Sequence, residues 1–144
     1  MKEQLEIKGN VNLVLRDGGG RIKARRVIHN TVPANGLAHV ADQLSSAPGQ
    51  AAMGWMAVGT GTPSATLLGV ETDRNALTSR TDAGAVVTYV GDWAAGDGTG
   101  ALTEAGIFNV VTAATITMLC SASFAVVNKL AADTLKITWT LTLS

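Results

Sequence analysis

Thr134-Leu135-Lys136-Ile137-Thr138-Trp139-Thr140-Leu141-Thr142-Leu143 alternates without a break. Leu135, Ile137, Trp139, Leu141 and Leu143 share one parity, while the threonines and Lys136 hold the other. Successive side chains of a strand point to opposite faces, so period two marks a half-buried strand. Threonine suits its solvent face, being a good strand former that needs no charge. Ser144 follows at once, so the C-terminus is expected to be tied into a sheet.

The same period recurs upstream. Ile116, Met118, Cys120, Ala122, Phe124 and Val126 alternate with Thr115, Thr117, Ser121 and Ser123. Residues 102–108 and 85–93 read as two more strands, separated by the glycine-rich loop Ala95-Gly96-Asp97-Gly98-Thr99-Gly100. Met53 to Val58 is a short apolar strand ending in Gly59-Thr60-Gly61-Thr62-Pro63. Residues 67–77 fit a helical turn or an extended crossing segment equally well. At the other end, Leu5, Ile7, Val11, Leu13 and Leu15 share a parity, with Gly9 a candidate bulge. Asp17-Gly18-Gly19-Gly20 turns the chain, and residues 21–29 return as a hairpin whose exposed face is basic. Pro33-Ala34-Asn35-Gly36 breaks that strand. Leu37, Val40, Ala41 and Leu44 then fall at helical spacing and predict one short helix covering a sheet.

Several short strands with glycine turns, and no βαβ rhythm, predict an all-β, mainly antiparallel fold, a β-sandwich or jelly roll. The expected organisation is one domain over residues 1–144. It comprises an N-terminal β-hairpin arm (1–33), a short helix (34–46) and a β-sandwich body (53–144).

Composition points to association. The chain is 47% hydrophobic but only 15% charged, against about a quarter charged in average domains. Its surface must then be largely Ala, Thr, Gly and Ser, which suits a subunit packed against copies or partners. Net charge is zero but uneven. Seven Lys/Arg against three acids in residues 1–26 make +4, and four against eight in the remainder make −4. Such a segment attracts an acidic partner, or it is simply a solvated hairpin face.

Motifs for chemistry are missing where they would be recognised. Gly59-Thr60-Gly61-Thr62-Pro63-Ser64 has no Lys for a phosphate loop. Asp92, Asp97 and Glu104 are too widely spaced for a calcium loop. His29 and His39 lack companion ligands for zinc. The single cysteine, Cys120, permits no intrachain disulfide and reads as a small core residue. The aromatics lie away from the basic segment, so no nucleic-acid interface is expected. No leader opens the chain and no apolar run suits a bilayer, so no membrane partner is expected and synthesis is expected in the cytoplasm. Catalysis, metal and cofactor are all expected to be absent. Glu104 stands out as a carboxylate among apolar neighbours. Burial demands a partner, for which Arg74 or Arg80 is the expectation, and its role is to pin a loop or a subunit contact.

Seven strings carry a resemblance: Ala57-Val58-Gly59-Thr60-Gly61-Thr62-Pro63; Leu68-Gly69-Val70-Glu71 and residues 74–80; Val87-Thr88-Tyr89; residues 98–109, containing Glu104-Ala105-Gly106-Ile107-Phe108-Asn109; and Phe124 to Lys129 and Asp133 to Trp139. Over residues 54–144 the chain resembles structural β-domains of tailed-bacteriophage virions. The resemblance implies a structural role without activity. Small size and the lack of a repetitive shaft favour a capsid cement or decoration protein, a homotrimer clamping neighbouring capsomers. The major capsid protein is then its partner and the capsid surface its location. Arg16, Arg21, Lys23 and Arg25 would dock on acidic capsid surface, and Glu104 would serve a contact. A tail-fibre or other receptor-binding subunit is the alternative, and a glycan-cleaving enzyme using two carboxylates the remoter one.

Overall fold

A computed structural model describes residues 5–111 and 117–144. Thr115 and Ile116, which the alternation places at the start of a strand, lie outside the described residues. Nine strands and one helix follow in order among the described residues: β1 Ile7–Arg16, β2 Ile22–Thr31, α1 Ala34–Gln43, β3 Trp55–Gly59, β4 Glu71–Ala76, β5 Ser79–Ala83, β6 Val86–Trp93, β7 Gly100–Phe108, β8 Met118–Lys129 and β9 Thr134–Leu143. They form a five-stranded sheet ordered β2-β1-β9-β6-β5 and a four-stranded sheet ordered β4-β3-β7-β8. All pairings are antiparallel. The fold is an all-β sandwich in which hairpins alternate between the sheets, and β9 closes the larger one. What is established is the sandwich and not a specific jelly roll.

The alternation places the core. Val11, Leu13 and Leu15 of β1 face inward beside Ile137, Trp139 and Leu141 of β9. Met56, Val58, Leu102, Ile107 and Ala122 meet them from the smaller sheet. Each such large side chain contributes about 1.5–3 kcal/mol by leaving water. A second, small cluster (Ala57, Leu68, Phe108 and Met118, with Trp55 half-buried beside it) lies on the outer face of the smaller sheet.

The hairpin is not an arm. β1 pairs with β9 along all its ten residues, from Ile7↔Leu143 to Arg16↔Thr134, and is an interior strand. Its apolar parity is core, so the residues that make it a strand also draw it into the sheet. Gly9 carries no bulge either: its register continues on both sides. A Cβ there would meet Trp139 Nε1 at 3.1 Å and overlap the Asn30 side chain, so glycine serves close approach. A register shift does occur in β8. Leu102 pairs with Val127 but Glu104 pairs with Ser123. The facing changes on both strands across this irregularity, with Leu102 and Val127 in the core on one side of it and Ala105 and Ala122 on the other, so Val127 is buried and Val126 is 46% exposed, against the parity expected for Val126. Within residues 67–77, Glu71–Ala76 form β4 at the sheet edge and the preceding four residues are loop, so neither a helical turn nor one continuous extended segment forms.

Both open edges on one side of the sandwich are sewn together. Arg26 donates from Nε to Ala125 O (3.2 Å) and from Nη2 to Val126 O (2.9 Å), and Asn30 donates to Ser121 O (2.6 Å). Side chains of edge strand β2 thus cover carbonyls of edge strand β8, which would otherwise invite strand addition.

Candidate interaction surface

The basic residues of the hairpin separate into committed and free. Arg16 donates to Gly20 O at 3.0 Å within its own turn. Lys23 donates to Asp133 Oδ2 at 2.6 Å, and that carboxylate is 4% exposed. Asp133 also accepts from Leu130 N at 2.8 Å and so closes the β8–β9 turn. Lys23 is therefore an internal partner and not a free docking cation. Arg21 and Arg25 are exposed and form no ion pair among the described residues.

The Lys23 hydrogen bond, then that of Leu130 N–H, holds the Asp133 carboxyl below its ordinary value. A carboxyl titrating lower in the folded state stabilises fully above its unfolded value, about 3.9, and loses that contribution as pH falls through the folded value. Asp42 acts in the same direction, held down by the backbone N–H groups of Gly49 and Gln50. Lys23→Met is expected to lower neutral-pH stability and to flatten the acid limb below about pH 4, read from urea midpoints. An unchanged acid limb would show that the pair has no part in it.

The outer face of the larger sheet is nearly chargeless at its centre. Register lines up His29, Asn10, Thr140, Thr88 and Thr81 in one row. The next row is Val27, Asn12, Thr138, Val90 and Ser79. Val27 is 59% exposed. Charges lie toward the ends, with Lys8 at one and the Lys136–Asp92 pair (3.4 Å), Arg16 and Arg25 at the other. Strands about 4.8 Å apart and about 3.3 Å per residue give the whole face, charged ends included, roughly 600 Å² over five strands of five to ten residues. A standard interface takes about 800 Å² per partner. The threonine parity of β9 announced this face, but the cross-strand rows depend on long-range register that local alternation does not carry.

Glu104 is fully buried beneath the loop between β3 and β4. Oε1 accepts from Gly61 N (3.0 Å) and Val70 N (2.8 Å), and Oε2 accepts from Gly69 N (2.8 Å). Thr103 Oγ1 adds a bond to Gly61 O at 2.7 Å. Neither expected arginine is the partner. Arg74 pairs with Glu71 at 2.6 Å and lies 3.8 Å over the Phe108 ring, and Arg80 donates to Met53 O. Glu104 pins a loop, and being buried within the chain it offers no surface to another.

Cys120 and His39 are enclosed, whereas His29 lies on the exposed outer face. Burial pushes the Cys120 thiol up, which leaves little thiolate at neutral pH. His39 is buried and shares Nδ1 with Gln50 Oε1 at 2.8 Å. Among the described residues no three His, Cys, Asp or Glu gather as a metal site, and no helix is long and apolar enough to cross a membrane. Compared with known protein families, curated proteins and solved structures, the chain matches none.

Proposed function

We propose that this chain is a structural subunit of a tailed-phage particle, a cement or decoration protein that works by surface association. It would sit on the outer capsid as an oligomer, in the simplest case a trimer, and hold neighbouring capsomers together. The observation that carries the associative part is the broad, charge-poor outer face of the larger sheet. Burying its threonine methyls and valines releases ordered water, the ordinary drive for association. A cyclic trimer needs two different patches per subunit, so this face of roughly 600 Å² would be one of two. The capsid assignment rests on the sequence resemblance, and of the four cations expected to meet an acidic partner Lys23 is taken by Asp133, while Arg16, Arg21 and Arg25 have no ion pair among the described residues.

Thr140 stands at the centre of the face. Thr140→Lys is expected to dissociate the oligomer while leaving far-ultraviolet circular dichroism unchanged, because an unpaired buried charge costs several kcal/mol. Sedimentation over a range of concentrations reads it. A wild-type chain that stays monomeric at high concentration would end the associative reading. Copy number in purified particles tests placement. A ratio near one to the major capsid protein supports cement, whereas about a tenth of that or less moves the chain to the tail or a vertex.

A further inference from the structure

At the end of the sandwich under α1, the inner face of the larger sheet opens into a cavity of about 200 Å³. Its walls are apolar: Ile7, Leu141 and Leu143 from the sheet, Met53 and Leu119 from the opposite side, and Val40 from the helix. Cavities of about 150 Å³ with such walls accept benzene. His39 and Gln43 of α1 also line it, both engaged with Gln50. On the sheet side Arg80 and Tyr89 interrupt the apolar lining as direct cross-strand partners, with Arg80 on edge strand β5 and Tyr89 one strand inward.

The guanidinium is under-used. It donates to Met53 O, and among the described residues no carboxylate lies within ion-pair distance of it. Asp82, two residues along the same strand, makes no such pair. A guanidinium has five N–H donors in a fork that matches a carboxylate. Burial raises the Tyr89 phenol above its ordinary value, so its hydroxyl stays a donor at neutral pH. An apolar pocket with a few convergent polar groups is the usual form of a small-molecule site.

We infer that this cavity binds a small monocarboxylic acid, its hydrocarbon body filling the apolar end and its carboxylate paired with Arg80. The hydrocarbon is limited to about one aromatic ring or a short acyl chain by the cavity size. Charge complementarity chooses an acid over a neutral apolar molecule, because a cation at the mouth of a low-dielectric pocket attracts an anion strongly.

Hexanoate titrated into the full chain, followed by side-chain resonances of Met53, Tyr89 and Leu141, tests this. Hexanol supplies the tail without the charge, and acetate the charge without the tail. Hexanoate is expected to bind at least about tenfold more tightly than either, a difference of about 1.4 kcal/mol. Arg80→Gln is expected to reduce hexanoate to the level of hexanol and to leave hexanol unchanged. Arg80→Lys, which keeps the charge but loses the fork, should fall between, and it serves if the glutamine variant does not fold. Equal affinity for hexanoate and hexanol, or indifference to both substitutions, overturns the inference. So does a cavity already filled by a second copy. Its sign would be resonance shifts that follow protein concentration alone and vanish in Leu44→Ala, since Leu44 is 81% exposed at the cavity rim.

Discussion

Glu104→Ala is expected to lower the unfolding free energy by about 3–5 kcal/mol, because three backbone N–H groups lose their buried acceptor at once. Losing the buried partner of one such group costs about 1–3 kcal/mol. The loop around Thr62 and Ser64 is exposed, so water relieves part of the penalty and the lower half of the summed range applies. Glu104→Gln separates hydrogen bonding from side-chain volume. Its carbonyl oxygen can keep Gly61 and Val70, but its amide then turns a donor toward the donor of Gly69. The expected cost is about 1–3 kcal/mol. Urea unfolding reads the totals, and amide hydrogen exchange reads the sites. Protection should fall at Gly61, Gly69 and Val70 in the alanine variant and at Gly69 alone in the glutamine variant. The loop also carries Leu68 onto Phe108 and Ala57, so its release should expose Trp55 to fluorescence quenchers. A glutamine variant as stable as wild type would show that the carboxylate does not hold the loop.

Glu104 also marks where sequence reading stops. Its apolar neighbours, Ala105 and Ile107, foretold burial, and a role in pinning a loop followed from the need for a partner. The partners themselves were illegible, because backbone N–H groups have no letter in a sequence. The nearest signal was the glycines. A Cβ on Gly59 would lie 2.3 Å from Val70 O and 2.4 Å from Glu104 Oε1, so glycine there lets the loop close over the carboxylate. The strands β1, β6 and β9 were legible because each buries one face against a long core, and burial writes period two into the sequence. β4 was not, since Glu71-Thr72-Asp73-Arg74-Asn75-Ala76 lies at a sheet edge with no fully buried side chain. The facing of Val126 was misread because the β8 bulge changes parity without changing composition. Charge misled in the hairpin as well. Lys23 and Arg26 look like a solvated basic run, yet one meets Asp133 and the other the β8 carbonyls, both about a hundred residues away. Local pattern reports which face is wet, and it is silent on what a long side chain reaches across an edge.

Gly36→Ala is expected to destabilise by about 1–3 kcal/mol, opposite in sign to its effect on an isolated helix. Alanine is better than glycine in a helix interior by about 1 kcal/mol, and Gly36 lies within the first turn of α1. Local propensity therefore predicts a gain. Packing predicts a loss, because a Cβ on Gly36 would stand 2.1 Å from Leu119 O and 2.5 Å from Val32 Cγ1. The first neighbour is backbone of β8, held in the sheet, so the helix must move instead. Gly36 reads locally as part of a turn after Pro33, but here it lets α1 sit directly on a strand. Asn35→Ala supplies the control. Asn35 is exposed on the same helix, and its replacement should gain a few tenths of a kcal/mol from propensity alone. Thermal unfolding of the two variants should thus move in opposite directions. Two upward shifts would mean that α1 is not seated on β8, and its position as a wall of the apolar cavity would fall with that contact. If the shifts oppose, Gly36→Ala should also weaken hexanoate, because displacing α1 moves Val40 away from the tail while leaving Arg80 in place.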